Sequence, residues 1–274
     1  MADFRGASAD GVADLADELR QQVSGAQRRA ATMADDLFTV SQSLRGEGGL
    51  RRFLTDASLP TEARTGLTRE VFGSQVDEQS LTLLSSAVAK RWTSAGDLPR
   101  GLEHLAVIAA VRSAGTEGER LSDELFSVAE AVKRNPTLRD ALSDPGRSTA
   151  DKSALVRDLL GERSLEATRT LTVQAVAGTY RTVGVALAEY QKVAADVHQE
   201  GVATVHSARA LSEDEERRLA AALERQYDRP IHLNTVVDED VLGGIRVEIG
   251  HDVIDGTVAS RLAEARRMLA GSGR

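Results

Sequence analysis

The stretch Leu233–Leu269, LNTVVDEDVLGGIRVEIGHDVIDGTVASRLAEARRML, decides how the C-terminal part of the chain folds. Ile231, Leu233, Thr235 and Val237 share one side of a strand that follows Pro230. Past Gly243-Gly244, the residues Ile245, Val247 and Ile249 alternate with Arg246 and Glu248, which predicts a strand with one buried and one wet face. The glycine pair between them reads as a bend or bulge where two backbones approach closely. Gly250-His251-Asp252 is a hairpin turn signal, and Val253-Ile254 returns briefly as a strand. Asp255 is a candidate N-cap for a last helix, whose apolar stripe is Val258, Leu262, Ala265 and Leu269.

Working outward, Val202–Ala208 reads as another strand. Ser212 and Glu215 form a capping box, in which each side chain reaches the other's backbone N–H, and a helix follows with Leu219 and Leu223 on one face. Residues 201–274 are therefore a small α/β domain. At roughly 70 residues it is near the lower limit for a self-sufficient core.

The chain ahead of it has the helical period. Apolar stripes run through Val12, Leu15, Leu19 and Val23, then through Met33, Leu37, Val40 and Leu44. Gly46-Glu47-Gly48-Gly49 ends the second, and a short Leu50–Leu54 helix follows. Pro60 suits the start of the next helix, which ends at Gly73. Leu81, Leu84, Val88 and Trp92 continue the pattern, with Trp92 expected in the core, and Asp97-Leu98-Pro99 opens a further helix. Then the sequence returns. Met33, Leu37, Val40 and Leu44 match Leu121, Leu125, Val128 and Val132, displaced by 88, and LRRFLTD at Leu50–Asp56 matches LRDALSD at Leu138–Asp144. Leu67, Arg69 and Gly73 match Leu155, Arg157 and Gly161; beyond them the displacement reads as 90, with Leu81 on Leu171 and Arg91 on Arg181. Matching Arg, Asp and terminal Gly positions argue for duplication rather than chance similarity of two amphipathic stretches.

The expected architecture is mostly α with a small α/β C-terminal domain: two homologous helical bundles, then a small mixed sheet with two helices. The boundaries are 1–114, 115–200 and 201–274, and the helix at 98–112 is a candidate to serve both bundles.

Composition narrows the function. Aromatics are only 3% of the 274 residues, which favours helical packing over a β-sandwich. There is no cysteine, so a disulfide framework and a thiolate zinc site are both excluded. The five histidines, at 104, 198, 206, 232 and 251, lack ligand-like spacing. A net charge of −8 argues against a surface built for a phosphate backbone. The longest apolar run, Leu105–Val111, is too short to span a bilayer, so a soluble chain reaching a membrane only through a partner is expected.

Candidate chemical motifs fail on their spacing. Asp238, Asp240 and Gly243 sit at positions one, three and six of a calcium loop, but Leu242 and Ile249 occupy positions five and twelve, where ligands are needed. The glycines at 46, 48 and 49 precede no Gly-Lys-Ser/Thr, and no G-x-S-x-G is present. No catalytic, cofactor-binding or metal-binding residue is assigned.

The opening stretch resembles the C-terminal signature of the delta subunit family of bacterial F-type ATP synthases, whose mitochondrial counterpart is the oligomycin-sensitivity-conferring protein. The matching residues are Asp238, Leu242, Gly243, Gly244, Ile245, Val247, Gly250, Val253, Ile254, Asp255 and Gly256, with Thr257 where Ser is usual. GVATVHSARALS at 201–212 and the Asn135-Pro136-x-Leu138 helix start are similar to the family too. The resemblance covers about residues 117–270 and is specific in 201–262. The chain is longer than the usual form by one bundle, as actinobacterial members are, and the family's Tyr-Ala-x-Ala-Leu pattern is absent from residues 8–24.

The resemblance implies a non-catalytic stator part without cofactors, one copy per complex. It would lie on the cytoplasmic face of the cell membrane and link the catalytic head to the b-subunit stalk. Residues 117–200 are expected to bind an α-subunit N-terminal helix and residues 201–274 the C-terminal end of the b subunit. Leu242, Gly243, Gly244, Ile245, Gly250, Ile254, Asp255 and Gly256 are expected to be architectural. Two readings from other classes stand beside it: a nucleic-acid-binding adaptor built on the α/β module, and an enzyme with a carboxylate site in a cleft between the helical and α/β regions. The acidic balance and the lack of aromatic sheet residues in 201–256 speak against the first.

Overall fold

The computed structural model describes residues 4–144, 146–177, 180–198, 201–227, 231–238, 241, 243–249 and 252–258. The chain divides into two compact units at Val197–His198, each with its own hydrophobic core.

The first unit is all helix: α1 (Ala7–Val23), α2 (Gln27–Gly46), α3 (Gly48–Thr55), α4 (Thr61–Phe72), α5 (Glu78–Ala89), α6 (Asp97–Ser113), α7 (Gly118–Arg134), α8 (Pro136–Ser143), α9 (Thr149–Leu160), α10 (Glu166–Ala177) and α11 (Val183–His198). Local chemistry sets many of the boundaries. Pro60 supplies a fixed φ at the N-cap of α4, and Asn135 and Ser148 cap α8 and α9 by accepting from Leu138 N–H and Asp151 N–H.

Helix bounds recur along the chain. α3, α4 and α5 start at 48, 61 and 78, and α8, α9 and α10 start at 136, 149 and 166, each displaced by 88 and each equal in length to its counterpart. α1 and α6 match in length at a displacement of 90 and carry Gly11 and Gly101 at the same step. The displacement of 90 inferred from sequence at Leu81 is corrected here: 88 continues through α5 and α10. Buried Ser80, Leu83 and Ala87 stand where buried Thr168, Leu171 and Ala175 do, while Leu81 is only partly buried. The physical reason is that α5 stops at Ala89, so the Leu81–Trp92 spacing does not lie on one helix. Trp92 is beyond the helix end. It folds back, donates its indole N–H to Ala87 O at 2.9 Å, and lays its ring over Gly101, where a Cβ would stand 2.9 Å from the ring.

α6 is buried around most of its circumference, with Leu98, Leu102, Leu105, Ala106, Ala109 and Val111 all inaccessible or nearly so. A helix of that kind needs neighbours on every side. α1 and α2 pack on it from one part of the chain, and α7 and α10 from the other. One continuous core therefore runs from Leu15 to Ala194.

The same helix carries a charge into that core. Glu103 is 4% exposed. It accepts from the Arg45 guanidinium of α2, from Gln174 Nε2 of α10 at 3.3 Å and from Tyr190 Oη of α11 at 3.3 Å. Gln42 of α2 donates to Gln174 at 2.9 Å, and Arg45 also donates to Ser41 Oγ, which in turn donates to Pro99 O. Burial and the Glu103 charge push the Tyr190 hydroxyl far above the ordinary phenol range, so it stays a donor.

The second unit contains β1 (Gly201–Ser207), α12 (Glu213–Tyr227), β2 (Ile231–Val237), β3 (Ile245–Ile249) and β4 (Asp252–Asp255). The sheet order is β2-β1-β3-β4. β1 and β2 are parallel, so their connection needs a crossover, and α12 provides it. β3 runs antiparallel to both β1 and β4. Ala203, Val205, Val247, Ile249 and Ile231 meet Leu223 of α12 in a small core. The sequence expectations at Leu242, Gly250 and the Leu262–Leu269 part of the last helix lie outside the described residues.

Arg45→Met removes the Arg45 counter-charge from the buried Glu103 carboxylate, and should cost about 3–5 kcal/mol in chemical unfolding of the intact chain. The double substitution Arg45→Met/Glu103→Leu should recover most of that loss. A double variant as unstable as the single one would contradict the ion-pair account.

Candidate functional site

The described signature residues come together at one corner of the α/β unit. Gly243 and Gly244 have φ of +125° and +82°, a region that penalises any side chain. Their space is also closed. A Cβ on Gly244 would stand 2.4 Å from Gly256 O and 3.0 Å from Thr257 Cα, and one on Gly243 would stand 3.3 Å from the Val258 side chain. Two backbone bonds stitch the contact: Gly256 N–H donates to Ile245 O at 2.9 Å and Val258 N–H to Gly243 O at 3.0 Å. Asp255 Oδ1 accepts from Thr257 N–H at 3.0 Å, an Asx-type turn that leads the chain out of β4, and these bonds hold its carboxyl below the usual range. The described signature residues thus build a backbone-to-backbone junction between the start of β3 and the end of β4. Gly243-Gly244 holds no side chain that could bind or react.

Ile245 packs partly against the core, and Ile254 is exposed on the outer strand. Val253, Ile254 and Val258 are all more than a third exposed, as is Val237 on β2. β4 is an edge strand, and exposed apolar residues on an edge are a template for a partner.

The entry to α12 is a second tight cluster. Ser212 N–H donates to Glu215 at 2.9 Å, Glu215 N–H donates to Ser212 Oγ at 3.3 Å, and Arg209 grips the same carboxylate through two nitrogens at 2.6 and 3.0 Å. The Arg209 bonds and the Ser212 bonds lower Glu215 to about 2. Glu213 and Asp214 lie in the same first turn, where the helix dipole favours acids.

The carboxylates of the helical unit do not gather into a ligand set. Among the described residues no three His, Cys, Asp or Glu side chains could hold a metal ion, and no helix is long and apolar enough to cross a membrane. His104 is half-buried in an edge-on contact with the Phe4 ring, and desolvation lowers its pKa. Sequence reasoning did not find Asp35 and Glu166, which lie 131 positions apart in sequence and line a common groove between α2 and α10. No local pattern signals such a pair.

A buried helical body, followed by a small sheet module whose outer edge is apolar and exposed, is the build of a docking protein. The comparisons specify which. The family model described as ATP synthase delta (OSCP) subunit matches residues 105–269. Proteins described as ATP synthase subunit delta are similar over nearly the whole chain. The one from Nocardioides sp. is 51% identical over 275 residues, covering 99% of this chain and 98% of that protein. The Streptomyces coelicolor protein is 38% identical over 273 residues, covering 98% and 100%. The Frankia alni protein is 39% identical over 243 residues, 88% of each chain. The chain belongs to the ATP synthase delta (OSCP) subunit family. It is a peripheral-stalk component of an F-type ATP synthase, structural rather than catalytic, associated with the membrane through that complex.

Gly244→Ala combines a disfavoured φ with a backbone clash and should cost the α/β unit about 3 kcal/mol or more. Hydrogen exchange of β1–β4 amides in the full chain would register this as lost protection in the sheet, with α1–α11 unchanged. The depressed Glu215 implies stability that is fully present above the unfolded value of 4.5 and lost as pH falls towards about 2. Glu215→Gln should therefore flatten the pH dependence of α12 exchange in that window; an unchanged profile would refute the cluster's contribution.

Proposed function

We propose that the two units of this subunit serve two partners. The helical unit binds the catalytic head through N-terminal helices of the α subunits, and the α/β unit holds the C-terminal end of the b subunit. One copy sits on the cytoplasmic face of the cell membrane as part of each complex. The observation that carries this reading is the division at Val197–His198 into two units with separate cores, one for each side of a stalk joint. A stator element must resist torque from the rotating shaft. The single core from Leu15 to Ala194 makes the head-side unit one stiff body. The exposed Val253, Ile254 and Val258 offer apolar area that an amphipathic helix of the stalk could cover.

The recurring helix bounds support a duplication in which two six-helix repeats share α6: α1–α6 and α6–α11. In domain terms these are residues 1–114 and 115–200 with 98–112 in common, followed by 201–274. Gly243, Gly244, Ile245, Ile254, Asp255 and Gly256, with Leu242 and Gly250, would be the architectural signature of the stalk-side module. The nucleic-acid and carboxylate-enzyme readings are not favoured.

Affinity purification of the tagged chain from its native membrane should bring down the head and the b subunit in equal amounts. The same purification with Gly244→Ala should retain the head and lose the b subunit. Loss of the head with retention of b would overturn the assignment of units to partners, as would retention of both by a variant whose sheet is shown to be open.

A further inference from the structure

The stretch Phe4–Ser8 turns from the start of α1 onto α6. Gly6, with φ of +53°, makes the turn, and its carbonyl accepts from Ala9 N–H at 2.9 Å and Asp10 N–H at 3.2 Å. Three more bonds pin this corner to the α5–α6 loop and the first turn of α6. Thr93 Oγ1 donates to Arg5 O at 2.9 Å, Thr93 N–H donates to Ser8 Oγ at 2.8 Å, and Ser8 Oγ donates to Asp97 Oδ2 at 2.8 Å. Asp97 Oδ2 also accepts from Ser94 N–H at 3.2 Å, and Ser8 is fully inaccessible. Residues 4–8 are thus a strap with a firmly bonded base.

Phe4 itself is held differently. It rests on two residues one turn apart on α6. Its ring meets His104 edge-on, with centroids 6.3 Å apart and planes at 61°, and the Arg100 guanidinium carbon stands 5.4 Å from its centre. Arg100 also reaches Asp97 at 3.5 Å. His104 is half-buried. Desolvation brings its pKa below the usual 6.5, the positive amino terminus of the chain adds to this, and Asp196 of α11 and Glu103 of its own helix offset it only in part. The Phe4 ring is therefore seated against a neutral imidazole beside one existing cation.

We propose that Phe4 and His104 form an acid-sensitive clasp: neutral His104 seats the Phe4 ring on α6, and a proton on His104 releases it. The cause is solvation. An imidazolium needs water that the Phe4 ring excludes, and Arg100 already places a positive charge at that ring. Lifting the strap returns His104 to its ordinary value of 6.5, whereas the seated form titrates lower. The lifted form accordingly binds more protons once the pH falls below 6.5, so the clasp is fully stable above that value and weakens as the pH drops through it. Release uncovers the Arg100–His104 strip of α6, while the Ser8–Asp97 bonds keep the base of the strap in place. The clasp lies wholly within the helical unit and is independent of the assignment of units to partners.

The test uses the full chain with para-fluorophenylalanine in place of Phe4. Its fluorine resonance is followed from about pH 7.5 to about pH 5, across the range in which histidine titrates. The resonance should move from a seated to a solvent position, with a midpoint below 6.5 that coincides with the His104 midpoint read from imidazole NMR. His104→Gln should keep the ring seated over the whole range. In a separate variant, Phe4→Ala, the His104 midpoint should rise to about 6.5, because the ring no longer excludes water. Helix content by circular dichroism checks that both variants are folded. A fluorine resonance that does not move with pH overturns the clasp, as does a movement that persists in His104→Gln. A His104 midpoint unchanged by Phe4→Ala overturns it independently, whatever the behaviour of the His104 variant.

Discussion

The burial of α6 is the constraint on which the helical unit depends. A single helix is covered by α1 and α2 of the first half and by α7 and α10 of the second. Neither set alone would close the core around it. Glu103 sharpens the dependence, because its carboxylate accepts from Arg45 of the first half and from Gln174 and Tyr190 of the second, with Gln42 bonded to Gln174 beside it. A buried charge of this kind adds little net stability against an apolar replacement but penalises any other packing of the same helices. The two halves are consequently one mechanical body, which suits a part that must transmit torque without yielding.

The α/β unit relies on a different constraint, close approach of backbone to backbone. Gly244 lies against Gly256 and Thr257 with no room for a Cβ, and two N–H···O bonds lock the contact. A module of this size has little apolar surface to bury. Geometry enforced by glycine therefore replaces bulk as the source of a defined shape, and leaves Val253, Ile254 and Val258 outside, available to a partner.

The relatives extend over the whole chain, whereas the family model begins at residue 105, inside α6. The additional helices α1–α5 are thus part of the form these relatives share. Of these, α2 packs on α6 and also meets α10 of the matched segment, which brings Asp35 of α2 into the same groove as Glu166 of α10.

Much of this was legible in the sequence, since periodicity and turn chemistry act over a few residues. The helical stripe of Met33, Leu37, Val40 and Leu44, the Ser212–Glu215 box and the β3 alternation each appear where local signals put them, and a helix starts at the Asn135-Pro136 stretch that resembles the family. The 88-residue recurrence was visible for the same reason. Its continuation through α5 was misread because Trp92 lies on the expected stripe while the helix has already ended at Ala89. The sequence by itself determined the class of fold, the order of helices and strands and the family, because these are encoded in local pattern and in a glycine-bearing signature. Only the tertiary structure decided that one core spans both helical halves, that Glu103 ties four helices together, and that Asp35 and Glu166 share a groove. Those contacts join residues 58 to 132 positions apart, and no local rule reaches across that distance.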